Sequence, residues 1–183
     1  MLRIDKEGRW FFQEEEITHW RTYLLFNRNL IRDENGKLKV RIGQEECPVE
    51  PEDAPFVVKS LDFNLGPDGE LKSITLILND ESREELNPET LFIGRENVLY
   101  CLVRKQTFTA RFSRNAYQLL FPFIHHAAEE NRFFLVIDGQ KYELRPREGE
   151  NYPTQKLSFR HCFLPRVRNK SSQKKGPPRN KSN

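Results

Sequence analysis

The chain has 183 residues and a mass of 21.8 kDa, enough for one domain or two small ones with a real core. Apolar residues make up 37% and charged residues 31%, and no run approaches the roughly 18 apolar residues of a membrane helix, so a soluble cytoplasmic protein is expected. The net charge of +3 is an uneven sum: residues 165–183 hold seven Lys and Arg and no acid, leaving the rest with 23 basic residues against 27 acidic ones, near −4.

The opening "MLRIDKEGRWFF" breaks its apolar residues with charges before a signal-peptide core can form, and reads as two short strands, "LRID" and "RWFF", around a turn at Gly8. A helix follows in "ITHWRTYLLFNRNLIRD", capped by Thr18, with Trp20, Tyr23, Leu24 and Ile31 at helical spacings. Turn chemistry at residues 33–36 leads into "KLKVRI", where Leu38, Val40 and Ile42 alternate with basic residues as in a strand. Next, "VEPEDAPFVVKSLDF" sets Glu50, Glu52 and Asp53 against apolar strand formers, and Pro55 biases Ala54 to extended backbone, so a turn feeds a strand here. The strands "FVVKSLDFNL" and "LKSITLILN" meet at "GPDGE", with Pro67 and Gly69 in turn positions, and "DESREELNPET" is a polar connector.

The second half repeats the order of the first. "VLYCLVR" and "TFTARFS" form a hairpin, Ser113 caps a helix over "RNAYQLLFPFIHHA" that Pro122 kinks or ends, and "RFFLVI" and "QKYELR" flank an Asp138-Gly139 turn. At an offset of 95 residues Thr18 superposes on Ser113, and Leu24, Leu25 and Phe26 on Leu119, Leu120 and Phe121. The fold class read from this is α+β, with two tandem strand-strand-helix-strand modules around a central antiparallel meander. The expected divisions are an N-terminal module at 1–50, central strands and connector at 51–97, a C-terminal module at 98–164 and a disordered basic tail at 165–183.

In order and spacing, "DKEGRW", a helix ending in "LLF", "VEPEDAPFVV" and a "VR" leading to "ARFSRNAYQL" resemble the bacterial family of unknown function numbered twelve-eighty-five. The match spans residues 4–120, with "EDAPF" and the paired "VR" and "AR.SR" as its most specific parts. The resemblance implies a duplicated α+β core and a C-terminal module superficially like a pleckstrin-homology fold. It also implies a cleft between modules for a nucleotide-like ligand in signalling, and no established activity. His19 stands where the family pattern has Arg, and the basic tail lies outside that pattern.

The candidate site gathers basic groups near the second helix. If Lys105 and Gln106 make a two-residue turn, Tyr100 opposes Arg111, and period two sets Arg104 and Arg111 on one sheet face. Ser113 and Arg114 open the helix, whose free N–H groups and positive dipole end suit a phosphate or carboxylate. Two roles are open to Asp53: an Asx turn within its loop, or a partner for Arg104 or Arg111 across the module boundary. Tyr117, like Trp10, Phe11 and Phe12, is either core or a stacking surface for a base.

Cys47, Cys101 and Cys162 are widely spaced and read as reduced thiols, and His125, His126 and His161 lack the spacing of a zinc site, so neither metal nor cofactor is expected. No catalytic motif appears. The expected function is a non-enzymatic ligand-sensing or interaction protein that binds a small anion or nucleotide-like molecule near Arg104, Arg111, Ser113, Arg114, Asp53 and Tyr117. The alternatives are a scaffold contacting an acidic partner or nucleic acid through its surface and tail, and a phosphate-ester hydrolase; oligomeric state is left open.

Overall fold

A computed structural model describes residues 1–128 and 132–146. The basic tail, His161, Cys162 and the last part of the expected 98–164 module lie outside the described residues.

β1 (Leu2–Ile4) and β2 (Trp10–Phe12) form the expected hairpin, and β3 (Glu15–Glu16) extends it. Asp5, 4% exposed, organises the first turn by accepting the Arg9 N–H at 2.8 Å and Arg9 Nε at 2.7 Å. Burial falls along the aromatic run: Trp10 is fully buried, Phe11 is intermediate, and Phe12, on the same side of the strand as Trp10, is exposed at its end. α1 (Trp20–Arg28) is capped by His19, not by Thr18: His19 keeps extended backbone and its ring accepts the Thr22 N–H. Asn29 closes the helix on the Leu25 carbonyl, so Ile31 falls not on the helix but in β4 (Leu30–Arg32).

β5 (Leu38–Ile42) forms where expected, and β6 (Glu45–Pro51) is a strand that the sequence reading lacked. β6 runs antiparallel to β5 over its first residues, and its end turns to pair in parallel with β1, Ile4 facing Pro51. These strands make a six-stranded sheet in the order β3-β2-β1-β6-β5-β4.

β7 (Phe56–Leu65) and β8 (Leu71–Leu78) are the central meander, followed by β9 (Arg83–Glu85), a 3₁₀ turn at Pro88–Thr90 and β10 (Phe92–Ile93). β11 (Leu99–Val103) and β12 (Phe108–Phe112) are the expected hairpin, and α2 (Arg114–Leu120) follows. Pro122 ends α2 in a 3₁₀ turn, Phe121–Phe123, and "IHHA" becomes a strand rather than helix, β13 (Ile124–Ala127). β14 (Arg132–Ile137) and β15 (Gln140–Glu143) turn at Asp138 and Gly139, both with positive φ, and β16 (Arg145–Pro146) follows. The larger sheet has the order β16-β10-β11-β12-β7-β8-β9, and β13-β14-β15 form a third. β7–β10 and β11–β12 thus share one sheet across the boundary expected between residues 97 and 98.

β7 carries the core. Phe56, Val57 and Val58 are all buried, because β7 is interior to the large sheet and covered on both faces: the Phe56 ring meets Phe108 edge-on, α2 lies against β7, and Val57 sits against Gly8. The two halves match in connectivity. Each helix follows antiparallel strands and precedes a three-strand antiparallel run, and the last strand of each half pairs in parallel with its first, Ile4 with Pro51 and Ile93 with Pro146. β6 covers 45–51 and β15–β16 cover 140–146, again 95 residues apart.

Candidate functional site

The geometry follows from one hairpin. The β11–β12 register sets Tyr100 opposite Arg111, as expected, and the parallel β12–β7 register sets Ala110 beside Phe56 and Arg111 beside Val57. Alternation then puts Phe108, Ala110 and Phe112 on the Phe56 face, with Tyr100 and Arg111 on the Val57 face.

Arg104 departs from this alternation. It, Lys105 and Gln106 have φ of +53°, +56° and +62°, so period two stops at Val103. The Arg104 guanidinium lies over the Phe56 ring, 5.2 Å from its centroid, on the face opposite Arg111. The expectation that both arginines share a face is therefore overturned: three left-handed residues, not two, make the turn, and they swing the side chain across the strand end.

On the Phe56 face, Arg104 Nη2 bonds the Asp80 carboxylate, which also accepts from the Ser82 N–H at 3.1 Å and Ser82 Oγ at 2.6 Å. The Arg104 backbone N–H points to the Glu84 carboxylate, with both oxygens at 3.1 Å. On the other face, Asp53 accepts Arg111 Nη1 at 2.9 Å and the Tyr100 hydroxyl at 2.9 and 3.1 Å. Of the two roles open to Asp53, the structure shows the pairing across the boundary, with Arg111 and not Arg104. Phe92 stacks on Tyr100 with centroids 5.3 Å apart, and a Cβ added at Gly94 would overlap the same ring.

α2 spans seven residues, and its start is tied to β7. Ser113 Oγ accepts the Ala116 N–H and donates to the Lys59 carbonyl, each at 3.2 Å, and Asn115 Nδ2 donates to that carbonyl at 3.0 Å. Arg114 is exposed on the first turn and Tyr117 stands one turn on, its ring 6.1 Å from Phe121. Of the six residues the sequence selects, the structure joins Asp53 and Arg111 directly; Arg104 belongs to a separate network.

Beside Asp80, Asn79 joins the two halves. Its Oδ1 accepts the Val57 N–H at 3.0 Å, and its Nδ2 donates to the Tyr23 hydroxyl at 2.6 Å and the Gly8 carbonyl at 3.3 Å. The Tyr23 hydroxyl donates to the Gly8 carbonyl at 3.1 Å. Burial pushes the Tyr23 phenol up to about 12, with the nearby Asp80 charge acting in the same direction. Lys59 Nζ adds a bond to the Glu7 carbonyl at 2.9 Å. Burial also raises the Cys101 thiol, which stays protonated within the core.

A cleft of about 660 Å³ opens between the Pro88–Thr90 turn and β15, with Pro88, Phe92, Leu102, Lys141, Tyr142 and Glu143 in its wall. None of the six selected residues lines it. Sequence reasoning missed Tyr100 as an Asp53 ligand, although its register opposite Arg111 was available, and missed Asn79, at the end of the strand "LKSITLILN", and Asp80, which opens the connector. Among the described residues, no helix is long and apolar enough to cross a membrane.

No family model matches the sequence, and no curated protein does. Solved structures do. A DUF1285 family protein from Silicibacter pomeroyi superposes with a TM-score of 0.66 at 19% identity, over 78% of each chain. Another from Shewanella baltica gives 0.53 at 14% identity, over 66% of this chain and 90% of that one. Both carry the family name to which the sequence resemblance points, and this chain has the α+β fold of the DUF1285 proteins of known structure.

Proposed function

We propose that this chain is a non-catalytic binding module related to the DUF1285 proteins, taking a small anionic or nucleotide-like ligand at Arg111. The observation that carries this reading is the Asp53–Tyr100–Arg111 network. It fixes an arginine at the strand end where the chain passes from the first half to the second, with the two charged side chains still about a quarter exposed. A guanidinium held by a carboxylate through Nη1 is oriented before a ligand arrives, which lowers the ordering cost of binding through its other N–H groups. Arg104 does not join this site, because it is committed to Asp80 on the opposite face.

Thermal unfolding against a panel of nucleotides and phosphorylated metabolites tests the reading. A ligand at one hundred times its Kd stabilises the native state by about 2.7 kcal/mol, a rise of several degrees in Tm. The rise should saturate and vanish in Arg111→Ala. A panel that shifts neither protein, or shifts both equally, refutes an anion site at Arg111.

A further inference from the structure

We infer that the cleft beside β15 is a strand-addition site: it takes an extended peptide segment of a partner protein, which hydrogen-bonds to the edge of β15 that no other strand among the described residues occupies. This goes beyond the anion site and uses none of its residues.

The argument starts from a fork in the backbone. Among the described residues, β10 and β16 pair in parallel at Phe92–Arg145 and Ile93–Pro146. Immediately before these pairs the two chains part. Asn87 caps a 3₁₀ turn at Pro88–Thr90, with its side chain accepting the Glu89 N–H at 3.1 Å and Thr90 Oγ1 donating to the Asn87 carbonyl at 2.8 Å. That turn cannot continue the ladder, so the gap between it and β15 becomes the cleft, and all of β15, Gln140 to Glu143, lies in its wall.

β15 is an edge strand of its sheet, in the order β13-β14-β15. Its hairpin with β14 closes through Asp138 and Gly139, so the pair Ile137–Gln140 is a hydrogen-bonded one, and such pairs recur at every second residue. The Leu144 N–H, bonded to the Phe133 carbonyl at 2.8 Å, keeps that phase. Gln140, Tyr142 and Leu144 therefore direct their backbone groups to β14, and Lys141 and Glu143 direct theirs to the cleft. An exposed row of alternating donors and acceptors is a template for another strand.

The cleft's side chains suit an extended peptide with apolar residues on one side. Pro88, Phe92, Leu102 and Tyr142 offer apolar contact. The wall's charges are largely engaged: Glu143 accepts Arg145 Nε at 2.8 Å, and Lys141 Nζ lies 5.0 Å from the Phe134 ring centroid. Affinity would come mainly from main-chain bonds and specificity from every second side chain.

Residue-resolved hydrogen exchange on the full chain is the first arm of the test. In the free protein the Lys141 and Glu143 amides should exchange rapidly, while those of Gln140, Tyr142 and Leu144 are protected. The second arm uses eight-residue synthetic peptides alternating Val, Ile or Leu with Thr or Lys. At least one should bind saturably below about 1 mM, slow the Lys141 and Glu143 amides at least tenfold, and bind more weakly to Phe92→Ala. Methylating each backbone nitrogen of that peptide in turn leaves the protein untouched, and should weaken binding at least tenfold at every second position only. Protection of Lys141 and Glu143 in the free chain, absence of any binding peptide, or methylation effects without a two-residue period would each overturn the assignment.

Discussion

Two arginine–carboxylate pairs stand on opposite faces of the β11–β12 hairpin, and their surroundings differ. Asp80 has a side chain only 2% exposed, and it is bonded by Ser82 as well as by Arg104. Asp53 is 26% exposed and Arg111 23%. The first pair closes a turn of three left-handed residues against Phe56, and the second sits where the two halves of the chain meet. Chemically the pairs are alike. What separates an architectural pair from a candidate binding site is how much water each carboxylate has lost, because an ion in water gains little from a partner and a buried one depends on it.

Truncating each arginine should break the comparison most sharply. Arg104→Ala leaves the Asp80 carboxylate buried with only Ser82 to solvate it, and should cost about 3 kcal/mol in urea unfolding. Arg111→Ala leaves Asp53 partly in water and still bonded by Tyr100, and should cost about 1 kcal/mol. Equal costs would mean that the two pairs are not distinct in kind. Arg104 Nε, buried without a hydrogen-bond partner among the described residues, makes this a stringent comparison, since that group's desolvation offsets part of what the ion pair contributes.

An effect between those two is expected at Gly94, which touches the Asp53 network without belonging to it. A Cβ there would overlap the Tyr100 ring, which is 6% exposed and has little room to yield. Gly94→Ala should cost about 2 kcal/mol by overpacking. It should also weaken any ligand that Arg111 binds, while sparing the Arg104–Asp80 pair. Unchanged ligand affinity in a destabilised Gly94→Ala protein would show that Tyr100 does not position Arg111.

Much of this was legible in the sequence where local chemistry decides structure. The Asp138-Gly139 turn and the "GPDGE" turn follow from residues that dictate their own backbone, and the β11–β12 register follows from the length of the segment between two apolar strands. β6 was not legible, because "EECPVEP" has charges and prolines in place of strand formers, and it is a strand only because β5 and β1 lie on either side of it. His19 as a cap was hidden for a related reason: Thr18 is the better capping residue by type, and the backbone at His19 settles the matter. Of the candidate site's geometry, the Asp53–Arg111 pair was legible as one of the roles open to Asp53, but the face of Arg104 hung on a conformation that arginine rarely adopts, and Asp80 lay in a stretch whose composition reads as connector.

The smallest effect concerns Tyr23, whose hydroxyl lies in the Asn79 junction next to Asp80 and so reports on the buried side of the comparison. The phenol's ordinary value is 10.0, and in the folded chain it rises to about 12, chiefly through burial. The folded state therefore holds this proton more tightly than the unfolded chain does. Its contribution is complete below pH 10 and is lost as the pH climbs from about 10 to about 12, where ionisation would set a second negative charge beside Asp80. Tyr23→Phe removes both the hydroxyl and its titration. At pH 8 the variant should be less stable by about 1 kcal/mol, the worth of the hydrogen bonds to Asn79 and Gly8. The gap between variant and wild type should then narrow in urea unfolding as the pH is raised through 10 to 12. A gap that stays constant across that range would mean the phenol's proton is held no more tightly in the folded chain than in the unfolded one, and that the Asn79 junction does not feel the charge on Asp80.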